Sequence, residues 1–407
     1  VSGIYNGSTS FRVYPADGNN DTSGTSGNIY IQNAQLESGM VSTDYLDSGA
    51  TTGKAGVLID LPRINYDANG ENGSLLLEPS RANLVPYSEY LAVGWTYDNT
   101  SVISNSIVSP IGEISASKLL DNTTNNLHRM YYVTGESTSA HTFSIFLKKA
   151  EYSKVEMESL SGVTTNITYD LLNGTATSVG EIEPYGNDWY RCIFPMSTTS
   201  PSNAIQIRLV NNSNSNVFVG TGTSGVHMYG AQLEAGSFSS SYIPNHGESG
   251  GVTRAADSCS VTGVSDVIGG TSGTIFFDVT MSESLTNSNY KQFFYYTDSG
   301  SNQTYMYVSN TNYIVGNPNL GNITSTTQLQ AGERYKIAVT YATNSFKMYI
   351  NGSEDATSSS GAPKDNENII SIGSYNGASE FNEFTFNQYA HFQEALSDSE
   401  LATLTTL

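Results

Sequence analysis

From Ala140 onward the chain repeatedly writes one kind of segment, in which apolar and polar side chains alternate until Gly, Asn, Asp or Ser interrupts them. In "HTFSIFLKKA", Phe143, Ile145 and Leu147 alternate with His141, Ser144 and Phe146. In "SKVEMESL", Val155, Met157 and Ser159 alternate with Glu156 and Glu158, and "NITYDLLNGTATSVG" reads as two strands around an Asn173-Gly174 turn. A period of two belongs to a pleated strand with one face buried. Strands recurring every ~8–12 residues with turn signals between them lead to an antiparallel sandwich. Open sheet edges are hazardous, so Greek-key or jelly-roll arrangements are expected. The predicted fold class is all-β, with tandem antiparallel β-sandwiches. The 27 Tyr and 15 Phe suit half-buried pleated surfaces, and a charged fraction of only 14% argues against long solvated helices.

The second constraint is a repeat. "GTSGNIYIQNAQLESG" begins at Gly24 and "GTSGVHMYGAQLEAG" at Gly222, and the match runs on from "STDYL" (Ser42 to Leu46) to "SSSYI" (Ser239 to Ile243). A spacing near two hundred residues exceeds the ~20–50 of a solenoid, so it marks two copies of a whole domain. The first copy is preceded by too little chain for a sandwich, and the sequence is therefore read as starting inside one. Residues 1–48 become the C-terminal part of a truncated repeat, and 49–83 a connector with a small hairpin around "GENG". Residues 84–246 form a complete jelly roll, 247–272 a Gly/Ser-rich linker, and 273–407 a second sandwich. In "ALSDSELATL", Ser397 and Glu400 form a capping box that predicts one short C-terminal helix. Within "GAQLEAG", Leu233 is expected to point inward, Gly230 and Gly236 to permit tight backbone geometry, and Glu234 to pair locally.

Charge excludes some partners. Lys and Arg number 17 against 38 Asp and Glu, a net charge of −21, which repels phosphate backbones and anionic lipid. No apolar run approaches the ~18 residues of a membrane helix. Cys192 and Cys259 could pair, although alternation in "WYRCIF" points Cys192 inward as a small buried hydrophobe.

Two resemblances follow from particular residues. Residues 63–259 resemble a domain of bacteriophage tail fibres, spikes and head fibres. The match is carried by "RINYDANGENGSLLLEPSRANLVPYSE", "GWTYDNTSV", "SPIGEISASKLLDNT", "HTFSIFLKKAEYSKVEM", "YDLLNGTATSVG", "NDWYRCIF", "VHMYGAQLEAGSFSSSYIPN" and "VTRAADS". Such domains look like the jelly-roll carbohydrate-binding modules of polysaccharide-degrading enzymes. Residues 273–407 resemble the concanavalin A-like laminin-G/pentraxin sandwiches through "LQAGERYKIAVTYATNSFKMYINGSED", "IISIGSYNG" and "EFNEFTFNQYAHFQEALSDSELATL". Tyr335 stands where that family usually has Trp. The family often holds calcium through acidic loops; Asp298, Asp355 and Asp365 lie in loops without a dedicated calcium spacing, so no cofactor is firmly implied and calcium stays open.

Together the resemblances imply a virion fibre or spike protein, exposed outside the cell, that adheres to a bacterial-surface polysaccharide. Its further partners would be other virion proteins. A homotrimer is open, since such fibres are often trimeric while no coiled-coil heptads are present. The alternatives are the non-catalytic carbohydrate-binding portion of a secreted polysaccharide-degrading enzyme, or glycan-independent capsid decoration.

The residues themselves argue against catalysis. His128, His141, His227, His246 and His391 show no metal-ligand spacing. Glu156 and Glu158 share a strand face but read as a solvated pair, and Glu380 and Glu383 in "EFNEF" fall on opposite faces. For sugar binding, aromatic faces stack on C–H-rich rings while amides and carboxylates take the hydroxyls. Trp189 in "NDWYRC" reads as core, and Trp95 beside Gly94 as a loop or strand-edge candidate. In "QFFYYT", Phe293 and Tyr295 share one face and Phe294 and Tyr296 the other; in "TYMYVS", Tyr305 and Tyr307 share a face. The expected glycan platform is Trp95, Phe294, Tyr296, Tyr305 and Tyr307, with no catalytic residue.

Overall fold

The computed structural model describes residues 63–66, 73–135, 140–160, 166–197, 203–268, 270–281, 291–298, 303–364, 366–374 and 384–407. The first copy of the repeated motif, the truncated-domain reading of 1–48, the "GENG" turn, Asp365 and the Glu380/Glu383 pair lie outside them.

The alternating segments form two β-sandwiches. The first consists of two six-stranded antiparallel sheets. One runs Thr175–Ala176, Ile167–Asp170, Lys154–Ser159, Ala204–Val210, Arg129–Val133 and Thr96–Asp98 in spatial order. The other runs Glu181–Pro184, Tyr190–Ser197, Ala140–Lys149, Gly225–Ala235, Ile114–Asp121 and Thr100–Val108. Their inner faces enclose Phe143, Ile145, Leu147, Val155, Met157 and Cys192, all fully buried, as the alternation requires. Each such side chain contributes about 1.5–3 kcal/mol on leaving water. Both cysteines are free thiols.

The second sandwich pairs a six-stranded with a seven-stranded sheet. The six are Cys259–Thr262, Ile369–Ile372, Lys291–Thr297, Gln303–Val308, Tyr313–Gly316 and Thr324–Gln328. The seven end on Phe384–Phe392, Ser272–Met281, Arg334–Ala342, Ser345–Ile350 and Ser353–Ser358, but begin with Ile64–Asn65 and Ser74–Leu75. The hairpin around "GENG" thus extends the second sandwich, pairing Leu75 with Phe386, and Leu77 enters that core at 6% exposure. The helix Asp398–Thr405 follows, its Ser397 N–H donating to Glu400 Oε2 at 2.8 Å.

Both connecting segments are paired with each other. Arg81–Asn83 runs antiparallel to Val252–Arg254. Beside them Arg63 donates to Asp257 at 2.6 Å and to Glu78 at 2.7 Å, while Arg254 reaches Glu78 at 2.9 Å. Burial alone would raise the Glu78 pKa, but Arg254, the Ser241 N–H and Arg63 outweigh it and hold the carboxyl below its usual range. Here the "LEPSR" and "TRAAD" stretches meet.

In "GAQLEAG", each residue from Gly230 to Glu234 has a structural role. Gly230 sits at φ +61° within a bulge, where Ala231 N–H reaches Ser88 O at 2.8 Å. Gln232 accepts the Ile243 N–H at 2.6 Å, and Glu234, fully buried, accepts the Ser240 N–H at 3.0 Å. Leu233 fills the core while its backbone N–H and C=O bond to the Asn83 side chain and the Leu84 N–H. The motif ties the strap 237–246 and the entering strand onto one sheet.

A Cβ at Gly230 would lie 2.9 Å from the Phe146 ring in a left-handed backbone. Gly230→Ala is therefore expected to cost about 1–3 kcal/mol in urea unfolding of the first sandwich. Leu77→Ala is expected to cost about 2–5 kcal/mol, read in the second sandwich's transition alone; an unchanged second transition would mean that the hairpin merely leans on that sheet.

Candidate functional site

The aromatic strand Lys291–Thr297 does not keep strict alternation. Its register against Gln303–Val308 runs Gln292 opposite Tyr307, then Phe294 opposite Met306, so Phe293 is an extra residue. Such a bulge resets which side chains face inward. Phe293 and Phe294 both enter the core at 0% exposure, followed on the inner face by Tyr296 at 1%. Tyr295 lies on the other face, directly across from Tyr305, and is itself buried at 2% exposure. Phe294 and Tyr296 are therefore interior residues, and the platform expected of them is corrected. Trp95 is corrected likewise: it is 7% exposed, packed against Tyr132 at 5.4 Å and edge-on to Phe143 at 6.2 Å. Trp189 is buried, its indole N–H donating to Val108 O at 3.2 Å.

Tyr305 and Tyr307 do lie on the outer face, half-buried. Tyr295 stacks on Tyr305 with centroids 6.1 Å apart and 25° between planes, and Tyr305 meets Tyr307 at 6.1 Å. The result is a row of three rings across two strands. Sequence reasoning passed over Tyr295, although its place opposite Tyr305 follows once the bulge is known.

Inside the same sandwich, polar groups gather between the sheets. His391 reaches the Tyr341 hydroxyl through Nε2 at 3.0 Å and the Tyr296 hydroxyl through Nδ1 at 3.1 Å, and Tyr296 also meets the Tyr389 hydroxyl at 2.5 Å. Burial drives His391 down to about 4, which keeps it neutral, with one ring nitrogen donating and the other accepting. Close by, Glu367 is 2% exposed. Burial pushes its pKa up to about 7; the Thr304 hydroxyl and Lys364 pull it down, while Asp298 pushes it up. Tyr296, Thr304, Asn319, Tyr341, Lys364 and Glu367, with Ile275 and Leu320, line a small cleft with room for about one water-sized group.

The remaining acidic candidates are engaged. Arg208 spans Glu156, at 2.7 Å, and Glu158. Asp355 accepts the Thr326 N–H at 2.7 Å and the Thr327 N–H at 3.0 Å, and Asp298 accepts from Asn366 at 3.1 Å. Among the described residues, His, Cys, Asp and Glu form no group of three able to hold a metal ion.

Residues 265–402, about a third of the chain, match a family model described as the concanavalin A-like lectin/glucanases superfamily. No curated protein matches. Among solved structures, the chain is similar to the CBM40 of the Ruminococcus gnavus IT-sialidase at 12% identity and a TM-score of 0.29, covering 36% of this chain and 96% of that one. It is also similar to a SAP-like pentraxin of Limulus polyphemus at 16% identity and TM-score 0.26, covering 34% and 70%. Domains LG4-5 of the mouse laminin α1 chain match at 9% identity and TM-score 0.23, covering 68% and 92%.

Glu367 supplies a pH test. Its folded pKa, near 7, lies above the ordinary 4.5, so ionising it opposes folding. Between those values the native sandwich loses stability as pH rises, by ~1.4 kcal/mol per unit from this group. Glu367→Gln removes that loss. The stability gap between variant and native protein is expected to widen in the variant's favour from pH 4.5 to 7 and to level off above. A gap independent of pH in chemical unfolding would refute the raised pKa.

Proposed function

We propose that the chain is a non-catalytic glycan-binding protein whose second sandwich holds a bacterial-surface polysaccharide on the half-buried rings of Tyr305 and Tyr307, backed by the buried Tyr295. The observation that carries this reading is the pair of half-buried rings, Tyr305 beside Tyr307 on one face of the sheet with Tyr295 stacked against Tyr305, in a segment matching a lectin and glucanase superfamily. Aromatic faces hold sugar rings by their C–H surfaces, and the phenol hydroxyls can hydrogen-bond at the rim. Affinity per site is low in this arrangement, and several copies on one particle would raise it by avidity. The net charge of −21 favours a neutral or cationic saccharide over a polyanionic one.

The setting we propose is a phage fibre or spike, on the strength of the ordered segments in residues 63–259 that resemble virion fibre domains. Two features support binding without cleavage. Glu156 and Glu158 share Arg208, so neither is left as a free acid or nucleophile. The interior carboxyl of Glu367 sits among hydroxyls that His391 already ties together.

The test uses the intact chain, because Ile64–Asn65, Ser74–Leu75 and Leu77 belong to the second sandwich. In biolayer interferometry against a panel of bacterial capsular and cell-wall polysaccharides, the Tyr305→Ala/Tyr307→Ala double variant is expected to bind at least about tenfold more weakly. Two lost ring contacts at ~0.5–1.5 kcal/mol each account for that factor. Unchanged binding in the double variant would sink the row. Release of reducing ends that one acidic substitution abolishes would replace the binder with an enzyme.

A further inference from the structure

We infer that the strand Thr100–Val108 is an interface between two copies of this chain: its open edge pairs antiparallel with the same strand of a second copy, about a two-fold axis, and joins two N-terminal sandwiches through one continuous sheet. The inference is independent of the glycan reading, which concerns the other sandwich.

The first support is a contrast between edges. Short length, charge and proline are the usual means by which an edge strand avoids pairing with another chain. The other edges of the six- and seven-stranded sheets use them. On the far side of the same sheet, Glu181–Pro184 reads "EIEP", two carboxylates and a proline. Thr175–Ala176, Thr96–Asp98, Ile64–Asn65 and Cys259–Thr262 are two, three, two and four residues long. Ser353–Ser358 carries Glu354 and Asp355, and Asp355 takes the Thr326 and Thr327 N–H groups of the remaining edge, Thr324–Gln328. Thr100–Val108 has nine residues, and from Thr100 to Gly112 the chain holds no charged side chain. Ile103 is 51% exposed there, and Val108, Ile111 and Ile114 are exposed toward the hairpin end.

The second support is the backbone. Asp121 gives its N–H to Ser224 O at 2.9 Å, away from this strand. Backbone groups alternate in direction along an antiparallel ladder. Leu120 and Lys118 therefore turn theirs toward the strand, where Ser101 and Ile103 stand opposite them. Thr100 and Val102 are left with N–H and C=O directed at the open edge. A bulge limits the pairing segment: Ile103 faces Lys118 and Ile107 faces Ala116, with Asn105 between them at φ +52°. Pairing is thus confined to the stretch from Thr100 to Ser104. A two-fold axis at Val102 lets the two copies exchange N–H···O bonds there. It also sets Thr100 opposite Ser104 and each Ile103 opposite Ser101 of the second copy.

Charge selects the occupant. Chains of net charge −21 repel one another, so copies approach most easily through surface free of carboxylates. A basic partner is drawn to the acidic remainder and finds no counter-charge on this edge. An isologous contact needs a patch that complements itself, and an uncharged strand with outward N–H and C=O groups does so when turned antiparallel.

The experiment is sedimentation velocity of the intact chain from about 1 to 100 μM. It includes the Ser101→Lys/Ile103→Lys variant and a control of equal charge, Val217→Lys/Val219→Lys, whose valines are also exposed but lie on another strand. The native chain is expected to dimerise, with a dissociation constant that rises at least about tenfold in the edge variant and does not rise in the control. Because the copies repel, the dimer is expected to tighten between ~0.1 and ~1 M salt, as the screening length falls from ~10 to ~3 Å. Hydrogen exchange supplies a readout that needs no variant: the Val102 amide of the native chain is expected to exchange more slowly as concentration rises. A monomer across the whole range, a trimer, a dimer indifferent to the edge lysines, or Val102 exchange independent of concentration would each overturn the inference.

Discussion

The architecture depends on the clamp where the segments before and after the first sandwich meet. Arg81–Asn83 pairs with Val252–Arg254, and the Arg63, Glu78, Arg254 and Asp257 side chains close over the junction. Four charges taken largely out of water cost several kcal/mol of hydration, which only good mutual geometry restores. Here the carboxylates also accept backbone N–H groups: Glu78 that of Ser241, and Asp257 that of Glu78. Removing one partner would strand the others, so the four act as a unit. By fixing Arg63, Glu78 and Arg81–Asn83 against Val252–Arg254 and Asp257, the clamp delivers the leading hairpin to the second sandwich and sets where the following strands begin.

Much of this was legible in the chain, and the failures have identifiable causes. Alternation located the inner face of Lys154–Ser159, with Val155 and Met157 in the core and Glu156 and Glu158 outside. It also located Cys192, while the repeated motif located Leu233 and the capping box of Ser397 and Glu400 located the helix. It failed at Phe293, because one extra residue in a strand shifts the period and nothing in "KQFFYYT" marks where the bulge falls. Trp95 misled because a neighbouring Gly suggests an edge, whereas burial there comes from Tyr132 and Phe143, distant in sequence. The hairpin around "GENG" was recognised as a hairpin, but its partner strand is too far along the chain for local pattern to assign. Glu367 was invisible for a similar reason: its burial is created by strands that meet only in the folded sandwich.

The two sandwiches handle interior polarity differently. In the first, buried polar groups such as Asn83, Gln232 and Glu234 bond to backbone and fasten segments together. In the second, Tyr296, Tyr341, Tyr389 and His391 bond to one another, and Glu367 keeps an unpaired oxygen. A network of the first kind rigidifies, although Trp95 Nε1 and Ser117 Oγ of that sandwich are also buried without a partner. One of the second kind leaves the Glu367 acceptor unpaired at a cost in stability.

The leading hairpin has a consequence for biosynthesis. A ribosome releases Ile64–Leu75 before any of the first sandwich and long before Phe386, the residue that Leu75 pairs with. The first domain can therefore close while its neighbour's edge strand waits unpaired, and the second domain matures only after nearly all of the described chain has emerged. Two short strands of two residues each, the first preceded by Arg63 and the second containing polar Ser74, give a waiting segment little surface for mispairing with another nascent chain. Vectorial synthesis thus makes the N-terminal sandwich the scaffold on which the C-terminal one is completed.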